Sequence, residues 1–311
     1  MRMPSPLVSP IPHVLAGILR LARVAVWSVA GLLTLAAARP VLAQEPSLAS
    51  APACQALQAK YPALKGKTLV DAVNPHTPGY EALDPNNPDQ YIGFDIDLAE
   101  ALGDCLGFKV TYTPVAFAAL LTTLQSGQAD IVISDIYATK ERAKAADFIT
   151  YSKVFDGVLV ERGNPKKITG IDTSLCGLTA AENTGFVEVP LVQNLGPQCK
   201  AAGKAEPTLL LFDNNAQCIQ AILAGRADTY VNDVNTVDQA VKAYPDKLSK
   251  ATAVTLPYSV GIAVPKTNTE FRDAIMAALM VVQSTGLELK LLQKWSLDTG
   301  SLEAPTLLTA Q

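Results

Sequence analysis

Residues Ser126 to Arg142 read SGQADIVISDIYATKER. The order is a helix end closed by Gly127, a short apolar strand from Ile131 to Ile133, a polar strand exit at Ser134, Asp135 and Tyr137, and an arginine, Arg142, on the next helix. An apolar strand that empties into polar residues is how an open α/β sheet presents a binding crevice at its carboxyl edge. Residues Ala224 to Asp233, AGRADTYVND, repeat the pattern: the Gly, the Ala-Asp pair, the strand and the terminal Asp fall in register, with Asp233 under Asp135. Two related crevice edges in one chain imply two lobes facing each other across a cleft.

The size of the chain fits this. It has 311 residues, 49% hydrophobic and 17% charged, enough for one large core or two ordinary ones. Residues 1–43 carry Arg2, Arg20, Arg23 and Arg39 and no acid, with an apolar run from Val24 to Ala38 and a small-residue site ending at Ala43. That is the layout of a cleaved signal peptide. The apolar run falls short of the roughly 20 residues of a spanning helix, which disfavours an uncleaved anchor. Without the leader, Lys and Arg fall from 25 to 21 against 29 acids, a formal charge of −8. An acidic surface argues against nucleic acid as a partner.

An exported chain meets an oxidising compartment, so its five cysteines are candidates for disulfides. Cys176 and Cys199 bracket one predicted strand–helix unit and are the first expected pair. Cys54 with Cys105 is a second, which leaves Cys218 as a buried small hydrophobe on an apolar helix. Spacing by itself does not fix connectivity.

Order is expected from about Cys54, after an Ala/Ser/Pro-rich start. Thr68 to Val73 reads as a strand leading into Asn74 to Gln90, whose Pro, Gly and Asn density predicts a long loop without regular elements. Asp95 reads as the N-cap of an amphipathic helix, with Asp97 and Glu100 on its solvated first turn. A strand at Lys109 to Thr113 and a helix from Phe117 to Ser126 deliver the opening stretch, and Thr139 can cap the element that carries Arg142. Val154 to Glu161 is a strand whose turn-rich exit, RGNPKK, is the expected first crossing between lobes. The second lobe alternates strand and helix up to Asp233. Tyr258 to Val264 returns as a strand to the first lobe, followed by two amphipathic helices. The expected partition is therefore residues 44–160 with 257–300 in lobe one, 161–256 in lobe two, and a tail over 301–311.

Enzyme signatures are scarce. Past residue 43 only His76 remains, and there is no Gly-x-Ser-x-Gly elbow, no Gly-x-Gly-x-x-Gly fingerprint, no Gly-Lys-Ser/Thr phosphate loop, and no Cys-x-x-Cys or His-x-x-His metal spacing. No cofactor, metal or catalytic residue is expected. Polar residues at strand exits suit a small zwitterion instead. An arginine grips a carboxylate through two charged hydrogen bonds, a turn such as Thr184-Gly185 offers backbone donors, and Asp233 can accept from an ammonium or cap the helix after it.

The runs GFDIDLAEAL from Gly93, LQSGQADIVIS from Leu124, Thr139-x-x-Arg142, ADF at Ala146, GRAD before Asp233 and GIAVPK from Gly261 are together similar to the polar-amino-acid class of bacterial periplasmic solute-binding proteins of ABC importers. The resemblance runs in order from about Thr68 to Trp295. It implies a two-lobed α/β fold with two hinge crossings, a cleft for an amino acid or related small solute, a monomer in the periplasm, and a membrane permease as partner. It assigns the ligand carboxylate to Arg142, the ammonium to Asp233 and a packing face to Phe117, which equally suits the core. It assigns backbone donors to Thr184 and Gly185, with Asn183 in place of the usual Gly. Thr77 stands where many members carry an aromatic, so Tyr80 or Tyr137 is expected to supply that wall. Ser134 and Asp135 complete the first-lobe edge. Asp135, where a small residue is common, reads either as a turn former or as extra negative charge favouring a ligand with a second cation. The rival implied by relatives of the fold is a dehydratase acting on prephenate or arogenate.

Overall fold

The computed structural model describes residues 47–310, and the expected signal peptide lies outside them. Within it the internal repeat is a repeat of hydrogen bonds. Asp130 accepts the Val70 N–H at 2.8 Å and returns its own N–H to the Val70 carbonyl at 2.8 Å. Asp228 does the same with Thr179, at 2.8 and 2.7 Å. Gly127 and Gly225 precede them with φ of 74° and 66°, closing each helix with a left-handed residue that glycine adopts without steric cost. Each Ala-Asp pair thus docks the chain that follows beside a parallel neighbour. The second copy forms a full strand, whereas the first makes isolated bridges, Asp71 with Ile131 and Val132 with Ala263.

The first half contains α1 (Pro52–Lys60), β1 (Thr68–Val73), β2 (His76–Thr77), β3 (Glu81–Asp84), β4 (Asn87–Ile92), α2 (Phe94–Leu106), β5 (Lys109–Pro114), α3 (Leu120–Gln125), β6 (Tyr137–Ala138) and the long β7 (Asp147–Glu161). Then come β8 (Thr179–Asn183), α4 (Glu188–Gln193), α5 (Gly196–Ala201), β9 (Thr208–Phe212), α6 (Asn215–Leu223), β10 (Thr229–Asp233), α7 (Val234–Ala243), the long β11 (Leu248–Val264), α8 (Thr269–Ser284), α9 (Leu287–Lys294) and β12 (Leu302–Leu308). β1 and β5 pair in parallel. The large sheet runs β6-β11-β7-β10-β8-β9, with β12 also against β7. β8, β9 and β10 are parallel, and β10 meets β7 antiparallel.

The apolar faces divide accordingly. On one side of the first half, α2 and α8 bury Phe94, Leu98, Leu102, Ile275 and Leu279 with Ile149 and Tyr151 of β7, and on the other Leu120, Leu124 and Phe148 pack together. In the second half Leu159, Cys218, Tyr230 and Val237 form one layer, and Val158, Val160, Val192, Cys199 and Val231 the opposite one. β7 therefore carries both cores, changing from one to the other around Asp156 and Gly157. β11 pairs with it along most of its length and does the same. The passage between lobes lies inside these strands, ahead of the RGNPKK turn where the composition placed it, because two paired strands support each other without a loop. The fold is the two-lobed α/β architecture that the sequence implied.

Four local expectations are corrected. Asn74 to Gln90 is not irregular: β2, β3 and β4 form a three-stranded antiparallel sheet, since the Pro and Gly residues fall at its turns and edges. Asp95 is not an N-cap. Gly93 precedes the helix, and Asp95 lies inside its first turn at 0% exposure. The tail over 301–311 contains β12, which pairs with Phe148, Ile149, Thr150 and Ser152. Arg142 sits on a single 3-10 turn, Arg142–Lys144, rather than a helix, with Thr139 Oγ1 accepting the Arg142 N–H at 3.1 Å. Both expected disulfides are present, Cys54–Cys105 and Cys176–Cys199, and Cys218 is free and buried.

Candidate functional site

Asp135 occupies the exit of the first repeat at φ 38°, a left-handed conformation that short polar residues tolerate better than most. Its N–H donates to Asp95 Oδ2 at 2.6 Å, and Tyr151 Oη donates to Asp95 Oδ1 at 2.9 Å. Ser134 Oγ accepts the Asn74 N–H at 2.8 Å and donates to Glu81 Oε1 at 3.0 Å. Buried acids from α2 and β3 thus hold the strand exit in place. Asp95 was legible only as a helix-start acid; nothing local shows that its side chain turns inward.

Arg142 spans the cleft. Nη1 donates to the Tyr137 carbonyl at 2.7 Å, Nη2 donates to the Gly185 carbonyl at 3.0 Å, and the guanidinium carbon stands 5.2 Å from the Phe117 ring centroid. Phe117 in turn meets Phe186 of the other lobe, centroids 4.2 Å apart. Phe117, Asp135, Tyr137, Arg142, Phe186, Val187 and Glu188 enclose a cavity of about 10 Å³ of water-accessible space, room for about one water. A solute larger than a water needs the Phe117 and Phe186 faces to separate.

Asp233 ends β10 and caps α7, accepting the Asn235 and Thr236 N–H groups at 2.8 and 3.3 Å. In register it lies directly opposite Asp156 of β7. Tyr137 Oη donates to Asp156 Oδ1 at 3.1 Å. Oδ1 of Asp135 has no hydrogen-bond partner, whereas the Asp156 and Glu188 carboxyls meet as a side-chain hydrogen-bonded pair. Burial, first of all, pushes the carboxyls of Glu188 and Asp233 up to about 7, and the negative charge of Asp156 adds to the effect on Asp233. Asp135 and Asp156 are raised well above the carboxylate range for the same reason, reinforced by Asp233 at Asp135 and by Glu188 at Asp156. Burial also lowers Arg142 to about 10, against the opposing pull of Glu188. The cleft is an acidic enclosure with one guanidinium.

Of the residues singled out from sequence, Phe117, Asp135, Tyr137 and Arg142 line the cavity, Gly185 touches Arg142, and Asp233 stands beside Asp156. Ser134 supports the exit from behind. Tyr80 lies in the core, edge-on to Phe94 with centroids 6.2 Å apart, and does not line the cavity. Asn183 is buried in a network, accepting from Tyr230 Oη at 2.6 Å and from Asn232 Nδ2 at 3.3 Å. At Thr184 and Gly185, the Thr184 N–H and hydroxyl both go to the Phe212 carbonyl, and the Gly185 carbonyl accepts from Arg142. Sequence reasoning missed Asp156, Phe186 and Glu188. The first two are unmarked in a strand and a turn, and Glu188 reads as an ordinary first-turn helix acid. Among the described residues no group of His, Cys, Asp and Glu is arranged to hold a metal ion.

Two lobes joined by paired strands, with polar groups from both lobes meeting over a closable space, define a solute-binding protein of the hinged kind. Residues 69–298 match the bacterial extracellular solute-binding proteins, family 3, and the chain belongs to that family. It is similar to the arginine-binding protein ArgT of Corynebacterium glutamicum, 26% identical over 253 residues that cover 81% of each chain. It is 27% identical over 237 residues to the putative ABC transporter arginine-binding protein 2 of Escherichia coli, covering 75% of this chain and 92% of that one. Among solved structures, an ancestral arginine-binding protein bound to arginine superimposes with a TM-score of 0.66 at 31% identity, over 75% of this chain and 99% of the other. An ancestral amino-acid-binding protein described as a precursor of cyclohexadienyl dehydratase gives 0.62 at 27%, over 77% and 98%. By family the protein is therefore an extracellular solute-binding protein.

Proposed function

We propose that this protein captures an α-amino acid with a cationic side chain, arginine foremost, in the periplasm and delivers it as a monomer to a membrane permease. Arg142 exchanges its two carbonyl partners for the ligand carboxylate in a bidentate charged pair. Asp233, aided by Asp135, accepts from the α-ammonium, and Phe117 packs on the ligand carbons. Because Asp135 and Arg142 belong to one lobe and Asp233 to the other, a ligand that touches all three stabilises the closed form. The observation that carries the reading is the charge of the closed cleft. Asp135 and Glu188 line the cavity with Arg142, and Asp156 and Asp233 are buried beside these acids, and burying carboxylates is costly without a cation to meet them. The arginine-binding names of the relatives agree with it.

A thermal-shift panel over amino acids, opines, polyamines and small carboxylates tests it, with wild type beside Arg142→Ala. At about 100 times its dissociation constant a ligand adds roughly 2.7 kcal/mol, a shift that is easily read. Basic amino acids are expected to give the largest shifts and Arg142→Ala to lose them; an undiminished response in Arg142→Ala refutes the carboxylate assignment. The structural likeness to a dehydratase precursor supplies a direct control. Prephenate and arogenate are expected to remain unconverted by purified protein, and their turnover overturns the transport reading.

A further inference from the structure

Glu81 and Asp95 lie beneath the first strand exit at 1% and 0% exposure, and their carboxyls meet as a side-chain hydrogen-bonded pair. Neither lines the cavity. The titratable groups that face the pair are Asp71 from β1, Tyr80 next to Glu81, Tyr151 from β7 and Asp135 at the exit, every one an acid or a phenol. Two ionised carboxylates do not stay in contact in a buried site without a cation, so the pair holds a proton between them.

The hydrogen bonds say which carboxyl carries it. Asp95 accepts at both oxygens, from the Asp135 N–H at 2.6 Å and from the Tyr151 hydroxyl at 2.9 Å. Ser134 Oγ takes the Asn74 N–H at 2.8 Å, so its own proton goes to Glu81 Oε1 at 3.0 Å. No donor reaches Glu81 Oε2, which leaves that oxygen free to bear a proton. We propose that Glu81 is the acid and Asp95 the carboxylate of a one-proton pair that positions Asp135 in the cleft. The proposal rests on the reading of Asp135 as a ligand-facing acid. Asp135 stands at φ 38°, a backbone conformation that persists in a residue other than glycine only where its surroundings over-determine it. The ionised Asp95 supplies that constraint through a charge-assisted hydrogen bond to the Asp135 N–H, and the Glu81 proton keeps Asp95 ionised by donating to it. Glu81 and Asp95 touch no ligand, and they are positioning residues.

Two substitutions at one position test this. Glu81→Met removes the acid proton and the Ser134 acceptor at similar length, whereas Glu81→Gln keeps an N–H donor for Asp95 and a carbonyl for Ser134 and cannot ionise. Without ligand, hydrogen exchange read by mass spectrometry is expected to be at least about tenfold faster over residues 131–138 in Glu81→Met, and to return to near the wild-type rate in Glu81→Gln. In calorimetric titration with L-arginine as the probe, Glu81→Met is expected to lose at least about tenfold in affinity and Glu81→Gln to recover it to within about threefold. At mildly alkaline pH, where ordinary glutamates are ionised, the infrared difference between wild type and Glu81→Gln should contain the carbonyl band of a protonated carboxylic acid. If Glu81→Gln exchanges as fast as Glu81→Met, or if that band is missing, the one-proton pair is wrong and the amino-acid reading stands. If wild type does not bind L-arginine, the reading of the ligand falls, and the exchange rates and the infrared band decide the pair by themselves. Circular dichroism checks that each variant is folded; if Glu81→Met is not, the infrared band and the exchange rate of Glu81→Gln against wild type decide.

Discussion

Replacing Glu188 by Gln tests the burial of charge in the cleft without any ligand. The Glu188 carboxyl stands at about 7 in the folded protein against an ordinary glutamate value of 4.5, chiefly through burial, with the hydrogen bond to Asp156 opposing the rise, Glu182 adding to it and Arg142 opposing it. A rise of that size corresponds to roughly 3 kcal/mol. The folded state binds this proton more tightly than the unfolded chain does. The contribution is therefore complete below the unfolded value of 4.5 and is lost as pH rises through the folded value near 7. Wild type is expected to lose stability across that window, and the other raised acids steepen the fall. Glu188→Gln retains the shape of the side chain and cannot titrate, so its curve lacks the Glu188 share. Urea unfolding followed by far-ultraviolet circular dichroism between pH 4 and 8 gives both curves. Relative to wild type the variant should gain about 3 kcal/mol, or about 1 if water reaches the group during local opening, between pH 4.5 and 8. A difference between the curves that stays constant with pH shows that Glu188 remains charged in the fold and refutes the account of the cleft as a store of buried acids.

Four further variants probe the frame. Gly93 sits at φ 141°, where an added Cβ would lie 1.9 Å from the Tyr80 carbonyl oxygen, so Gly93→Ala is expected to cost at least about 3 kcal/mol in urea unfolding or to prevent folding. Removing the Cys176–Cys199 bridge, whose sequence separation is 23, as a double Ser variant should cost about 3 kcal/mol through the freed unfolded chain; an unchanged midpoint contradicts this. Asp228→Ala deletes the acceptor of the Thr179 N–H and should destabilise the protein by about 1–3 kcal/mol. The matching Asp130→Ala, which deletes the acceptor of the Val70 N–H, should behave alike if the repeat is energetic as well as geometric.

Much of this was legible in the chain. The Gly-x-Ala-Asp repeat and the amphipathic helices follow from local rules of turn chemistry and periodicity, and those rules operate within a dozen residues. Arg142 was identifiable because its neighbours Thr139 and Asp135 mark a strand exit, and Asp233 because it ends the second copy of the same pattern. The strand Leu302–Leu308 was not legible, since its pairing depends on partners far away in sequence, Phe148 and Ile149, and the short sheet at His76–Ile92 was hidden by the Pro and Gly residues at its turns and edges.

The acids show where sequence stops. The chain by itself determined two α/β halves, their order, their internal likeness and one arginine at the crevice edge, because each is written in short-range patterns of apolar, small and capping residues. It also determined that the protein is acidic overall, yet an acid in a sequence reads as surface, since charged side chains are seldom buried unpaired. Only the tertiary structure decided that Asp95 and Glu81 lie beneath the strand exit, that Asp156 faces Asp233, and that Glu188, from the same lobe as Asp233, comes up to Asp156. These residues come from five separate elements, and nothing but the packing of two lobes about a pair of continuous strands brings their charges into one enclosure.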